Sequence, residues 1–413
     1  MLYKYNAIAH DLGCVPTLPV TAVVLKRHPK IISKLSKNGI EFAVHGYIHC
    51  DYGVLPLEEQ AVHFGKAIDT FKDCSVTFTG FRAPFLRIND QTMEALGSCQ
   101  FAYDSSYSIH WDVIDRAKYS KQLWNAYDKL FDFYRPRDAE KYLALPRRLN
   151  GLVEIPVSIP DDEGMVERLG IKDAREISEV WKAILHSTYE RGELFTISLH
   201  PERIFLCESA LTDVFQQARQ LNPSVWVATL REIAEWWKER ERFVFEISPL
   251  SDDRCKVRAN CSERATILLR NCRVNVPVNA WSKGYKSVSS RDFILESSAR
   301  PVVGVALDSS PAAVAFLNSE GFIVERSDRP GDYGIYFSNL AKFAEVDEMV
   351  LSRKLEQSAA PLLRYWRWPN GARSALSVTG DIDSMTLTDF ALRILENWRQ
   401  NRRQRSNGAK AAV

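Results

Sequence analysis

Between residues 1 and 242, short uninterrupted apolar runs rich in Val, Ile, Phe and Leu alternate with stretches in which apolar positions recur at helical spacing. A strand buried on both faces reads as a continuous apolar run, and an amphipathic helix as a 3.6-residue period. The pattern therefore predicts repeated βα units around a largely parallel sheet. Strands are predicted at 17–24, 42–45, 76–81, 101–105, 152–158, 194–199 and 225–229, with a helix rich in Glu, Trp and Arg over 230–242. Several runs end in a polar residue or lead straight into one: His45, Arg82, Asp104 and His200. In βα barrels and open α/β sheets the carboxyl ends of the strands face the catalytic side, so polar side chains gathered there point to a site.

From residue 243 the texture changes. Short alternating runs at 243–247, 255–259, 265–269, 287–289, 293–296 and 302–306 have the spacing of an all-β module. Residues 311–337 read as a small helix and a hairpin, followed by a helix over 341–356. A last strand, 375–379, leads through Asp381 and Asp383 into a helix over 387–401 that Thr386 or Thr388 is placed to cap. The expected fold class is α/β. Its main part is 1–242, with a β-rich, sandwich-like module over 243–310, a small α/β connection over 311–371, and a closing strand and helix over 372–413.

Composition adds limits. The 413 residues, 46% hydrophobic and 26% charged, suit an ordinary globular protein with a domain of roughly 200 to 250 residues and a smaller one. A balance of 54 Lys and Arg against 52 Asp and Glu gives +2, which argues against nucleic acid as a partner. Only the last residues, including Arg399, Arg402, Arg403, Arg405 and Lys410, are locally basic, and a solvated tail accounts for them. No apolar stretch of about twenty residues occurs, so no membrane span is expected. Lys4, His10 and Asp11 interrupt the place of a secretory core, so the chain as given is expected in the cytoplasm, or outside it if an export signal precedes residue 1. Eight cysteines at irregular spacings, with no Cys-x-x-Cys, signal neither a zinc ribbon nor a disulfide framework, and Cys50 beside His49 is the thiol to watch.

Two histidines four apart, His45 and His49, follow one apolar run, and Asp381 and Asp383 follow another far along the chain. Taken alone, the His pair arises by chance and the Asp pair serves as a helix cap. Brought together, His45, His49 and one Asp form a divalent-metal site with a second carboxylate beside it. Helix-borne zinc proteases carry a Glu as base after the first His; Gly46 stands there, which leaves the role to the spare Asp.

With this set the chain strongly resembles the polysaccharide deacetylase family, the carbohydrate esterases typified by chitin and peptidoglycan deacetylases. The resemblance rests on His45-Gly-Tyr-Ile-His49, Gly80-Phe-Arg-Ala-Pro-Phe85, Tyr103-Asp-Ser-Ser106, Leu199-His-Pro201 and Thr379-Gly-Asp-Ile-Asp383, and covers about residues 1–240 and 372–400. It implies an irregular (β/α) barrel of about seven strands. The order differs, because the Asp motif that opens the family's domain comes last here. Either the chain is circularly permuted, with 243–370 inserted as the connection, or its start is missing and the last motif opens a truncated second copy. Permutation is the reading adopted, since termini that lie close together make it physically easy.

For the residues, the resemblance implies that Asp383, His45 and His49 hold a divalent metal, zinc first for two imidazoles and a carboxylate, with Co2+ or Ni2+ as alternatives. Such a metal lowers the pKa of a bound water from about 16 toward 7. Asp381 would take that water's proton, Arg82 would keep Asp381 ionised, and the Phe85 backbone N–H would help hold the oxyanion. His200 would protonate the departing amine, tuned by Asp104, Asp161 or Asp162, among which the sequence does not choose. Tyr47, Phe85, Tyr107 and Trp111 are candidates for an apolar sugar platform. The expected activity is removal of N-acetyl groups from an aminosugar-containing glycan. A small-amide hydrolase like the allantoinases and a carbohydrate-binding protein without catalysis are the alternatives.

Overall fold

A computed structural model describes residues 1–99 and 101–411. Its centre is a sheet whose strands run, in spatial order, Leu194–Ser198, Ser374–Thr379, Thr17–Val20, Glu41–Val44, Phe78–Phe81, Tyr103–Asp104 and Leu152–Glu154, each parallel to the next. Arg147–Leu149 is antiparallel on the outer edge, and Val225–Val227 branches from Ser374–Thr379. The sheet curls but is irregular. Past Leu152–Glu154 the chain resumes as Val157–Ile159 in a small parallel sheet with Ser108–His110 and Arg137–Asp138. That sheet meets Leu194–Ser198 where the Thr196 amide donates to Ser158 Oγ at 3.3 Å. The result is the irregular (β/α) barrel that the resemblance implied, with further small sheets.

The local reasons are plain in the chain. Thr17–Val20, Glu41–Val44 and Ser374–Thr379 are buried along their whole length, as parallel strands covered on both faces must be. Helix Ala174–Arg191 starts on Asp173, whose carboxylate accepts from the Arg175 amide, and ends at Gly192 in the left-handed conformation. Between these caps it buries Ile177, Val180, Trp181, Ile184, Leu185 and Thr188, one stripe at helical spacing.

Several predicted boundaries change. The 17–24 run splits into the strand and helix Ala22–Arg27, because a fully buried strand and the buried start of a helix look alike in hydropathy. The 152–158 run is two strands broken around Pro156, which has no N–H to give a ladder. The helix expected from 341 begins at Glu348, after a single tight turn. The last helix runs Leu387–Ala411, and Thr386 caps it: its Oγ1 accepts from the Asp389 amide at 3.1 Å while its own amide donates to Asp389 Oδ2.

In the β-rich region, Val244–Pro249, Arg254–Asn260, Asp292–Glu296 and Arg273–Val274 form one antiparallel sheet. Val278–Ala280, Lys286–Val288, Ile267–Arg270 and Leu362–Tyr365 form a second, and Val257, Phe293, Leu295, Leu269, Leu363 and Tyr365 fill the core they share. Leu362–Tyr365, a strand not predicted, returns to this core from much later in the chain. Arg300–Val305 instead pairs in parallel with Val324–Arg326 and Tyr333–Phe337. A buried charge cluster ties the parts together. Glu320 Oε1 accepts from Arg367 Nε at 2.9 Å, Arg364 adds a second guanidinium, and Arg367 Nη1 donates to the Arg191 carbonyl. The 104–106 and 381–383 turns lie at the carboxyl ends of their strands, on the same rim as the turn after Glu41–Val44.

Candidate metal centre and acid–base site

Five strands deliver polar side chains to that rim. His45 and His49 follow Glu41–Val44, Arg82 follows Phe78–Phe81, Ser105 follows Tyr103–Asp104, His200 follows Leu194–Ser198, and Asp381 and Asp383 follow Ser374–Thr379. Gly46 makes the turn between the histidines at φ +77°, and an added Cβ there would sit 2.8 Å from the Tyr52 hydroxyl. Only glycine satisfies both demands.

His45 Nε2 lies 3.3 Å from Asp383 Oδ1, and His49 Nε2 lies 3.1 Å from Asp383 Oδ2. One ligand atom from each of the three residues lies within 4.8 Å of the others. The His45 ring is oriented by a 2.9 Å contact from Nδ1 to the Arg82 carbonyl oxygen, which accepts only from a protonated Nδ1. A neutral His45 therefore turns a lone pair on Nε2 toward Asp383 Oδ1, an oxygen that accepts no hydrogen bond among the described residues. Two lone pairs face each other across a buried gap, and a cation is what reconciles them. The donor set fits a divalent metal. Burial lowers the His49 pKa, which favours the neutral, ligating form. Burial opposes ionisation of Asp383, but the His49 and His45 imidazoles outweigh it and hold the carboxyl well below its ordinary range.

Beside this triad stands a carboxylate held separately. Arg82, fully buried, donates from Nη1 to Asp381 Oδ1 at 2.9 Å and to Thr379 Oγ1 at 2.8 Å. Its Nε and Nη2 donate to the Ser105 carbonyl and Oγ, each at 3.0 Å. Asp381 Oδ2 is left facing His45 Nε2 at 3.7 Å. On the other side His200 Nδ1 is 2.8 Å from Asp162 Oδ1, while the His200 amide donates to Asp162 Oδ2 at 2.9 Å. Burial alone would depress the His200 pKa; the Asp162 carboxylate above all, with Asp383 and Asp381, raises it well above the usual imidazole value. Asp162 itself is held low, against its burial, by His200 and Arg203, whose Nη1 donates to it at 3.0 Å.

The three candidates for the carboxylate partner of His200 thus separate. Asp161 accepts from the Gly164 amide at 2.8 Å and is pushed up to about 7 by burial and by Asp162. Asp104 is fully buried, pushed up to about 6, and both its oxygens are taken by Ser106, whose hydroxyl in turn accepts from the Ala83 amide. Asp104, another candidate to tune His200, reaches the Arg82–Pro84 turn through Ser106. The Tyr47 ring packs beside His63 with Lys66 over it, and Trp111 is buried under Arg191. Of the expected platform, Phe85 is the ring that meets the triad, edge-on to His49 at 4.3 Å, from a left-handed backbone at φ 60°. The Cys50 thiol is buried 3.9 Å from His63 Nδ1 and its pKa is pushed up, so it is a protonated neighbour of the site.

Residues 12–103 match the model of the polysaccharide deacetylase family, and a curated peptidoglycan deacetylase-like protein of Gibberella zeae is 26% identical over 228 residues. Over these residues the chain is similar to the polysaccharide deacetylase family. The Gibberella alignment takes in 48% of this chain and 62% of that relative's length. Solved structures similar to this chain include proteins of Pseudomonas aeruginosa and Mycobacterium smegmatis assigned to the polysaccharide deacetylases. The first is 18% identical with a TM-score of 0.45 over 57% of this chain and 72% of that one; the second is 23% identical with a TM-score of 0.42 over 55% and 73%. Puue allantoinase is 18% identical with a TM-score of 0.44 over 57% and 71%.

Sequence reasoning missed three contributors to this site. Arg393 donates to Asp383 Oδ2 at 2.7 Å, Arg203 anchors Asp162, and Ser105 takes two donors of Arg82. The Tyr103-Asp-Ser-Ser106 motif held a signal for Ser105; nothing in the pattern marks the two arginines, which reach the site across the fold.

Proposed function

We propose that this chain is a metal-dependent hydrolase that removes N-acetyl groups from an aminosugar-containing glycan, with Asp383, His45 and His49 holding a divalent ion, zinc ahead of cobalt or nickel. The observation that carries the reading is the buried cluster in which Asp383 Oδ1 lies 3.3 Å from His45 Nε2 and Asp383 Oδ2 lies 3.1 Å from His49 Nε2. When bound, the ion supplies a water of lowered pKa and polarises a carbonyl oxygen.

The remaining chemistry belongs to the chain's own side chains. Asp381 takes a proton from the attacking water through Oδ2, because Oδ1 is committed to Arg82. Arg82 pairs with Asp381 and aims it; the guanidinium's other donors are anchored on Ser105 and Thr379, so it cannot swing away. The developing oxyanion is met by the Phe85 backbone N–H. An amide nitrogen leaves only as an amine, so a proton must reach it; His200, kept protonated by Asp162, delivers it. In this reading the chain is circularly permuted, with Ser374–Thr379 placed between Leu194–Ser198 and Thr17–Val20 in the sheet while lying last in sequence.

The test is acetate release from a panel of acetylated chitooligosaccharides and peptidoglycan fragments, after chelation and after addition of zinc, cobalt or nickel. Metal-restored acetate release is the expected result. No acetate from any substrate under saturating metal overturns the assignment.

A further inference from the structure

The last helix, Leu387–Ala411, docks by its polar side. Asp389, Arg393, Glu396 and Gln400 recur at helical spacing and turn toward the barrel: Asp389 Oδ2 is 2.7 Å from His28 Nε2, Arg393 holds Asp383, Glu396 pairs with Arg27, and Gln400 bonds to Glu59. The opposite side is apolar and open. Leu387 is 89% exposed, Ile394 56% and Trp398 54%, with Phe390 and Leu395 exposed between them. A helix on a soluble core buries its apolar stripe and wets its polar one; here the arrangement is reversed. At about 100° per residue the apolar positions cover an arc of roughly 140°. Exposed Arg399 borders it and exposed Arg402 continues it at its carboxyl end, the Arg402 guanidinium lying 4.8 Å over the Trp398 ring. From Leu387 to Arg402 the outward side carries no carboxylate, since Asp389 and Glu396 both face inward.

We propose that this face lies on an anionic lipid surface. Leucine, isoleucine, phenylalanine and tryptophan along one side of a helix, with arginines at its margin, match the boundary between acyl chains and phosphate headgroups. The charge selects the occupant: a second copy of this face offers no carboxylate to pair Arg399 and Arg402, whereas anionic headgroups complement them. Among the described residues no helix is long and apolar enough to cross a membrane, so the contact is one of lying on the surface. Because the helix begins directly after the 381–383 turn, docking holds the metal-centre rim close to the bilayer. The inference does not depend on the reaction.

The experiment is co-sedimentation of the full chain with vesicles of phosphatidylcholine mixed with phosphatidylglycerol, against vesicles of phosphatidylcholine alone. Preferential binding to the anionic vesicles, weakened by salt, is expected. The double substitution Ile394→Ser with Trp398→Ser should abolish it while circular dichroism and the thermal midpoint stay those of the parent. Arg399→Gln and Arg402→Gln should each weaken it roughly fivefold. Absence of binding overturns the proposal, as does binding that ignores these substitutions. A dimer in sedimentation equilibrium that the double serine substitution dissolves, without vesicle binding, overturns it in favour of a second copy.

Discussion

Asp162 grips His200 twice, by Oδ1 at 2.8 Å from the ring Nδ1 and by Oδ2 at 2.9 Å from the backbone amide. One carboxylate therefore fixes the position of the histidine and the protonation of its ring together. The ring is oriented so that Nε2, the other nitrogen, is the one presented to a ligand.

Asp162→Asn separates these roles, because the amide keeps a hydrogen bond and loses the charge. The His200 pKa is raised in the parent, so the protonated acid persists through neutral pH and is lost as pH climbs through that raised value. In the variant the basic limb of the kcat profile should move to lower pH, with part of the activity recovered in acid. An unchanged profile in a pH-rate measurement would show that Asp162 does not tune the acid.

Asp381→Asn and His49→Ala should fail in different ways. The first leaves Asp383, His45 and His49 intact, so metal content by elemental analysis should stay at the parent level while kcat falls roughly a hundredfold to ten-thousandfold. The second removes a donor 3.1 Å from Asp383 Oδ2 and should lose the metal. Retained deacetylation in either variant would reject the roles assigned here.

Gly46→Ala tests the turn that aims the two histidines. An alanine Cβ would lie 2.8 Å from the Tyr52 hydroxyl and force φ +77° on a residue that avoids it. Metal affinity should fall at least tenfold, by analogy with lost support around metal ligands. Isothermal titration with zinc that returns the parent affinity would show that the loop tolerates a side chain.

Glu320→Gln addresses stability far from the rim. Glu320 is buried between Arg367 and Arg364, and those guanidiniums, opposing the effect of burial, hold its carboxyl below the ordinary value. Removing the charge leaves two buried cations short of a partner, which should destabilise by about 3 to 5 kcal/mol in denaturant unfolding. A carboxyl depressed in the folded state contributes stability above its unfolded pKa of about 4.3 and loses that contribution as pH falls through the folded value. Parent and variant should therefore converge in stability toward acid pH; a gap that stays constant with pH would contradict this.

Much of this protein was legible along the chain. Continuous apolar runs mark strands buried on both faces, so 42–45 and 375–379 stand out as Glu41–Val44 and Ser374–Thr379. That His45, His49, Asp381, Asp383, Arg82 and His200 gather at one end of the sheet was legible because each follows a predicted strand at short spacing. Hydropathy is a one-dimensional signal, however, and it could not divide 17–24 into a strand and a helix, nor find Leu362–Tyr365, whose partner lies almost a hundred residues earlier. Nor could it choose Asp162 over its neighbour Asp161: the two are adjacent in sequence and differ only in which way the turn aims them. Arg393, Arg203 and the outward apolar face of the last helix belong to the same class. Residue type and local period are written in the chain, but pairing, register and the side of a helix that meets the core are set by distances between segments far apart in sequence, and only the folded molecule decides those.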